Sequence, residues 1–194
     1  MLPSVLIGTG VRVSVNNIAA AIYYVSDKQI NFLVPDLRPG QAEIRVSRDS
    51  LYGPAVRVPV GEFSPALFNM DPEFAIATRQ DGSLVTRDAP ARPGEVVILY
   101  ATGLGLTRPR FRNGEVPSAA ASLERMADFR VSLSGRLLER ADIIYAGVGP
   151  GFAGFYQINL RMPAEFEANP EIRIGIGDVM SPPNVRLHAN SGNQ

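Results

Sequence analysis

Two stretches of this chain spell out the same succession of short alternating segments. Val11-Arg-Val-Ser-Val15 is matched by Phe129-Arg-Val-Ser-Leu133, and Ala21-Ile-Tyr-Tyr24 by Asp142-Ile-Ile-Tyr145. Gln29-Ile-Asn-Phe-Leu-Val-Pro35 is matched by Gln157-Ile-Asn-Leu-Arg-Met-Pro163. Glu43-Ile-Arg-Val46 answers to Glu171-Ile-Arg-Ile174, and Val56-Arg-Val58 to Val185-Arg-Leu187. The order is kept throughout, and the separation widens along the chain as loop insertions would make it. Ordered self-similarity of this kind marks a duplicated structural unit. Apolar residues at every second position, as in Val11, Val13 and Val15, mark strands with one buried face.

Turn residues separate the segments: Asn16-Asn17, Ser26-Asp27, Arg38-Pro-Gly40 and Tyr52-Gly-Pro54. Gly (18) and Pro (16) are spread along the chain, as many short strands joined by tight turns require. The expected fold is all-β: two tandem immunoglobulin-like β-sandwich domains, residues 1–65 and 66–194. The second is expected to carry an inserted hairpin, its strands flanking Gln80-Asp-Gly-Ser83, where Gly82 can take a positive φ. It also contains Val96-Val-Ile-Leu-Tyr100, a continuously apolar run that reads as a buried strand. Ser118–Phe129 (SAAASLERMADF) predicts a short helix, with Ser118 as N-cap and Ala, Leu and Met as helix formers.

The two copies differ at their openings. The strand of Arg92–Gly103 precedes copy two, while only Leu2–Thr9 lies before Val11. The first domain is therefore expected to lack its opening strand and to expose a sheet edge. Such an edge invites strand addition, so a homodimer through it is an expectation, unless another segment covers it. The same feature suggests that the chain belongs to a longer protein.

Val13-Ser-Val-Asn16, Tyr24-Val-Ser26, Gln29-Ile-Asn-Phe32 with Val34-Pro35, Asn69 to Pro93, Glu95-Val-Val-Ile-Leu-Tyr-Ala-Thr-Gly-Leu-Gly105 and Ala146-Gly-Val-Gly-Pro-Gly-Phe152 followed by Tyr156-Gln-Ile-Asn159 form a distinctive set. With them, nearly the whole chain resembles the Solibacter-type C-terminal domain, a module at the ends of large acidobacterial proteins. The resemblance implies tandem immunoglobulin-like sandwiches on secreted or cell-surface proteins. It implies no activity. The chain departs from that pattern at the missing opening strand.

Composition excludes much. Cys is 0, so no thiolate metal site, disulfide or thiol nucleophile can form within the chain, and the single histidine, His188, cannot make a multi-histidine metal site. Formal net charge is zero, which argues against nucleic acid as a partner. No apolar run is long enough to span a membrane, and the opening residues carry no export signal. No cofactor is expected.

Gln29 and Asn31, and Gln157 and Asn159, share a strand face in each copy. With Tyr24, Tyr145 and Tyr156 they are the candidate binding residues, amides for a sugar's hydroxyls and rings for its apolar face. The alternative is that these amides satisfy loop backbone. Gly147-Val-Gly-Pro-Gly-Phe152 lacks the Lys and the following helix of a phosphate loop, and reads as a turn. Arg108, Arg110 and Arg112 read as a solvated loop. Glu165, Glu167 and Glu171, beside Pro163 and Pro170, read as an exposed connection, not a paired-carboxylate centre. Asp27, Asp36, Asp71, Glu73, Asp81 and Asp178 are scattered, and leave open only a calcium site assembled from separate loops. His188 lies in a polar tail with no partner. The leading expectation is a non-catalytic accessory or interaction module of an extracellular or cell-surface protein, with a protein or glycan ligand. The alternative is a carbohydrate-binding or carbohydrate-active domain using surface carboxylates with the Gln, Asn and Tyr side chains.

Overall fold

The computed structural model describes residues 1–191. In chain order the strands are β1 (Val11–Val15), β2 (Ile18–Ala19), β3 (Ala21–Val25), β4 (Ile30–Leu33), β5 (Gly40–Arg48), β6 (Leu51–Tyr52), β7 (Val56–Val60), β8 (Ala66–Leu67), β9 (Ala77–Thr78), β10 (Val96–Thr102), β11 (Thr107–Arg108), β12 (Ala121–Leu123), β13 (Phe129–Leu133), β14 (Arg136–Leu137), β15 (Ile143–Val148), β16 (Tyr156–Arg161), β17 (Ile172–Ile176) and β18 (Val179–Met180). Short 3₁₀ turns at Met126–Asp128 and Arg140–Asp142 are the helical elements among the described residues. The fold is all-β, every sheet is antiparallel, and the architecture is sandwich-like. Among the described residues no helix is long and apolar enough to cross a membrane.

Two compact units divide the chain. The first comprises Met1–Glu62 together with Arg110–Ser118 and Pro150–Ala153. The second comprises Phe63–Pro109, Ala119–Gly149 and Gly154–Gln194. In the first, a sheet runs β2-β1-β5-β6 with β7 also on β5, and β3 and β4 form a separate two-stranded sheet. Val13, Val15, Ala20, Ile22 and Ala42 make its core, ringed by the half-buried Ile30, Phe32, Leu37, Ile44, Val58 and Val60. Val11, Val13 and Val15 are buried while Arg12 is exposed, as their period predicts.

Residues far along the sequence complete this unit. The Tyr23 hydroxyl donates to the Ala153 carbonyl and accepts from the Ala153 N–H, both at 2.6 Å. Asn113 Nδ2 donates to the Ala19 carbonyl at 3.3 Å, and the Leu2 N–H to the Gly114 carbonyl at 2.7 Å. The opening residues lie along the other strands: Val5 bridges Arg12, and the Ile22 N–H donates to the Pro3 carbonyl.

In the second unit a seven-stranded sheet runs β11-β12-β15-β16-β10-β8, with β9 also on β10, and a four-stranded sheet runs β14-β13-β17-β18. Val97, Leu99 and Ala101 of β10, Ile158 and Leu160 of β16, and Val131, Ile172 and Ile174 of the smaller sheet are wholly buried.

The pairings of the matched segments coincide residue for residue. Val13↔Val46 and Val15↔Ile44 in the first unit correspond to Val131↔Ile174 and Leu133↔Ile172 in the second. Ser47↔Tyr52 corresponds to Gly175↔Met180, and Glu43↔Arg57 to the bridge Glu171↔Arg186. The hairpin turns agree as well. Asn16 and Asn17 have φ of 50° and 64°, and Ser134 and Gly135 of 47° and 80°, the two left-handed residues that a tight two-residue turn needs.

Two local expectations are corrected. Ser118–Phe129 holds no α-helix: it forms β12 and a 3₁₀ turn. Ala121 and Leu123 are buried with Ser122 exposed between them, so burial at period two overrides the helix propensity of Ala and Leu. The apolar run of β10 is not buried on both faces. Val97, Leu99 and Ala101 face the core, and Val96, Ile98 and Tyr100 are half-buried on the other side. The Gln80–Ser83 turn forms as expected, with Gly82 at φ +84° and Asp81 Oδ1 accepting from the Ser83 N–H and hydroxyl. Its flanking strand is short, β9 alone, with a single bridge from Thr78 to Leu84.

Candidate functional site

Each unit carries one amide–tyrosine row. In both, a β-bulge precedes the tyrosine and shifts the register, so that tyrosine and asparagine fall opposite each other. Tyr24 pairs with Asn31 after the bulge between Ile22 and Tyr24. Tyr145 pairs with Asn159 after the bulge between Ile143 and Tyr145. Two residues apart on one strand, the amides share a face and meet. Gln29 Nε2 donates to Asn31 Oδ1 at 2.6 Å, and Gln157 Nε2 to Asn159 Oδ1 at 2.8 Å. In each pair the Gln carbonyl oxygen and one Asn N–H₂ group remain to meet a ligand or water.

The surroundings of the two rows differ. In the first unit Tyr24 is 49% exposed, and Gln29 and Asn31 are exposed beside it. In the second unit both amides are half-buried. The Tyr145 hydroxyl is turned inward, donating to the Val148 carbonyl at 2.7 Å with the Ala121 carbonyl at 3.1 Å, and burial pushes its pKa up. Tyr156 points to the core, opposite in parity to Gln157. Its hydroxyl donates to the Gly105 carbonyl, and burial pushes its pKa up to about 12. Of the candidate residues, Tyr24, Gln29 and Asn31 thus form one open surface. Gln157 and Asn159 form a second, more enclosed one, while Tyr145 and Tyr156 spend their hydroxyls on backbone carbonyls.

Sequence reasoning missed the aromatic residues beside the second row. Tyr100 lies opposite Gln157 across β10 and β16. Its ring stacks on Phe155 at 5.2 Å, and Phe155 meets Phe68 at 5.1 Å. The Tyr100 hydroxyl hydrogen-bonds Thr78 Oγ1 at 2.8 Å. Nothing in the spacing of Phe68, Tyr100 and Phe155 announces a cluster; the sheet order makes it.

Also missed was Arg79. Its Nε donates to Glu95 Oε1 at 2.6 Å, and its other nitrogens donate to the carbonyls of Leu84 and Ala89 at 3.0 Å and of Pro90 at 3.2 Å. Glu95 Oε2 in turn accepts from the Arg92 N–H. One guanidinium thereby ties the 84–92 loop to the start of β10.

The remaining sequence candidates are placed as follows. Glu165 and Glu167 are exposed, and with Glu139, Asp142 and Arg136 they line a shallow depression of about 420 Å³. Glu167 accepts from the Ser134 hydroxyl, and Glu171 Oε1 from the Asn184 N–H at 2.7 Å. Arg108 pairs with Glu124 at 3.2 Å. Gly147 and Val148 are not part of the turn: they end β15, opposite Gln157 and Tyr156, and residues 149–155 connect β15 to β16, with Gly151 at φ +94°. Among the described residues no group of three or more His, Cys, Asp or Glu side chains could hold a metal ion. His188 is not partnerless: its ring stacks on Phe74 at 3.7 Å and its carbonyl accepts from the Ala91 N–H. Burial lowers its pKa, against the pull of Asp71.

No family model matches the chain, and no curated protein matches it.

Proposed function

We propose that this chain is a non-catalytic accessory or interaction module, made of two tandem immunoglobulin-like sandwiches and carried by a larger extracellular or cell-surface protein. The coincident strand registers support the tandem reading, and the resemblance to the Solibacter-type C-terminal domain points the same way. The observation that carries the binding role is the open row of Tyr24, Gln29 and Asn31. An open sheet surface with one exposed ring and a prepaired amide couple suits a glycan, whose hydroxyls take the free amide groups while its apolar face lies on the tyrosine. Prepairing fixes the amides before the ligand arrives and so reduces the ordering cost of binding.

Affinity electrophoresis of the full chain through gels containing a panel of plant and bacterial polysaccharides tests this. Retardation by at least one polysaccharide is expected, weakened at least tenfold in Tyr24→Ala and in Asn31→Ala. Mobility that no polysaccharide alters, or retardation that both substitutions leave intact, overturns the glycan reading. A second reading, a carbohydrate-active domain, draws on the acidic depression lined by Glu139, Asp142, Glu165 and Glu167. Release of reducing sugar that disappears in Glu165→Gln would favour it.

A further inference from the structure

The second unit supplies a template for what the first unit leaves open. In the second unit β16 has a neighbour on each side, β15 and β10. In the first, β3 is the counterpart of β15 and β4 of β16. Among the described residues no strand other than β3 pairs with β4. The Gln29 carbonyl accepts from the Ser26 N–H, so it points back towards β3. Main-chain groups alternate sides along a strand, so the N–H and C=O of Ile30 and Phe32 point outward, away from β3. Their counterparts Ile158 and Leu160 lie opposite Leu99 and Val97 of β10.

Burial follows the same contrast. Ile158 and Leu160 are wholly buried, as are Val97, Leu99 and Ala101, which β10 sends into the core. Ile30 and Phe32 are only half-buried. Ile44 and Val46 repeat the pattern: Val46 is 37% exposed where its counterpart Ile174 is 0%. The first unit's core is short of the side chains that a strand in the position of β10 would bring. Its other long edge is guarded, since β7 carries Arg57 and Pro59, residues that discourage strand addition. From Gln29 to Leu33 the β4 edge carries neither proline nor charge.

From this contrast we propose that the outer side of β4 is an acceptor site for one extended strand of another polypeptide. The strand runs antiparallel to β4, in the register that β10 takes against β16. Its chemistry is set by that template. Two branched apolar side chains, two residues apart and opposite Phe32 and Ile30, enter the core, and the residue between them faces out opposite Asn31. A second copy of this chain meets the requirement poorly. Pairing β4 with β4 would satisfy the outward main chain, but the Ile30 and Phe32 side chains of the incoming strand are committed to their own core. The site is a matter of edge geometry and stands or falls apart from the glycan reading.

The test mixes the full chain with an excess of a peptide of the sequence Arg92–Gly103 and follows amide hydrogen exchange residue by residue. Exchange of the Ile30 and Phe32 N–H groups is expected to slow at least tenfold. The chain is expected to bind one peptide and to remain free of self-association in sedimentation. A peptide with Asp at the positions of Val97 and Leu99 should give no protection, and one with Ser at those of Val96 and Ile98 should keep it. Three results overturn the proposal: no protection at Ile30 and Phe32, protection confined to β16 through exchange with the resident β10, or equal protection without peptide that grows with protein concentration. The last would instead mean pairing between copies.

Discussion

Replacing Tyr156 with Phe removes one oxygen from the core of the second unit, and the consequence depends on pH in a way the structure fixes. The hydroxyl donates to the Gly105 carbonyl, and burial raises its pKa from 10.0 to about 12. In the unfolded chain it ionises near 10. Below pH 10 the hydroxyl is protonated in both states and contributes no pH dependence. Between about pH 10 and 12 the unfolded chain has lost this proton and the folded chain has kept it. Unfolding then releases a proton, so stability falls as pH rises. Two pKa units at about 1.4 kcal/mol each give a loss of about 3 kcal/mol across that window. In Tyr156→Phe this component of the slope disappears. The substitution itself costs about 1 kcal/mol at neutral pH, because the carbonyl of the half-buried Gly105 loses its donor. Two measurements check this. Tyrosinate absorbance at 295 nm should show one of the six tyrosines ionising last in the parent chain, a step absent from the variant. Urea unfolding at pH 7 and at pH 11.5 should show the smaller pH decrement in the variant. A late-ionising tyrosine that persists in Tyr156→Phe, or identical decrements in the two proteins, would refute the reasoning.

Three further outcomes are expected. Arg79→Ala should cost about 2 kcal/mol, since a half-buried ion pair and three carbonyl contacts go together, and hydrogen exchange should accelerate at Ala89 and Ala91; Arg79→Lys should recover only part of this, lacking the planar fork. Gly147→Ala would place a Cβ 2.2 Å from the Ala121 carbonyl oxygen and 2.6 Å from the Tyr145 hydroxyl, so it should cost about 3 kcal/mol by thermal unfolding and loosen β12 from β15 in exchange experiments. Ile158→Ala and Ile30→Ala remove the same atoms at matched positions; calorimetry should find the first losing about 3–4 kcal/mol and the second about half that, because Ile30 is not fully buried.

The strands of the smaller sheets were legible because one face of each is buried and the period survives in the sequence, as at Val11, Val13 and Val15. The repeat was legible for the same reason: matched segments keep matched faces. Ser118–Phe129 misled because Ala, Leu and Met favour a helix locally, while the deciding contacts, Thr107 with Leu123 and Ser122 with Gly147, come from elsewhere in the chain. The Ala121–Leu123 alternation was the signal available there. At the candidate site the amide pairs were readable, being two residues apart on one strand. The inward turn of Tyr145, the burial of Tyr156 and the meeting of Tyr100 with Phe155 were not, because each depends on which strands become neighbours. His188 shows the same limit: its partner Phe74 lies more than a hundred residues away in sequence.

The composition of the first unit has a consequence for how the chain is made. Its own strands end at Val60, yet Tyr23 finds both of its backbone partners at Ala153. Synthesis proceeds at roughly 5–20 residues per second, so about 5–19 seconds separate the emergence of the last strand from that of the residue that locks Tyr23. For that interval the nascent unit holds its sheets without its closing contacts. Slowing translation between residues 62 and 153 lengthens the exposure of its half-buried ring of Ile30, Phe32 and Val58, and a chaperone that recognises apolar strands would find it there.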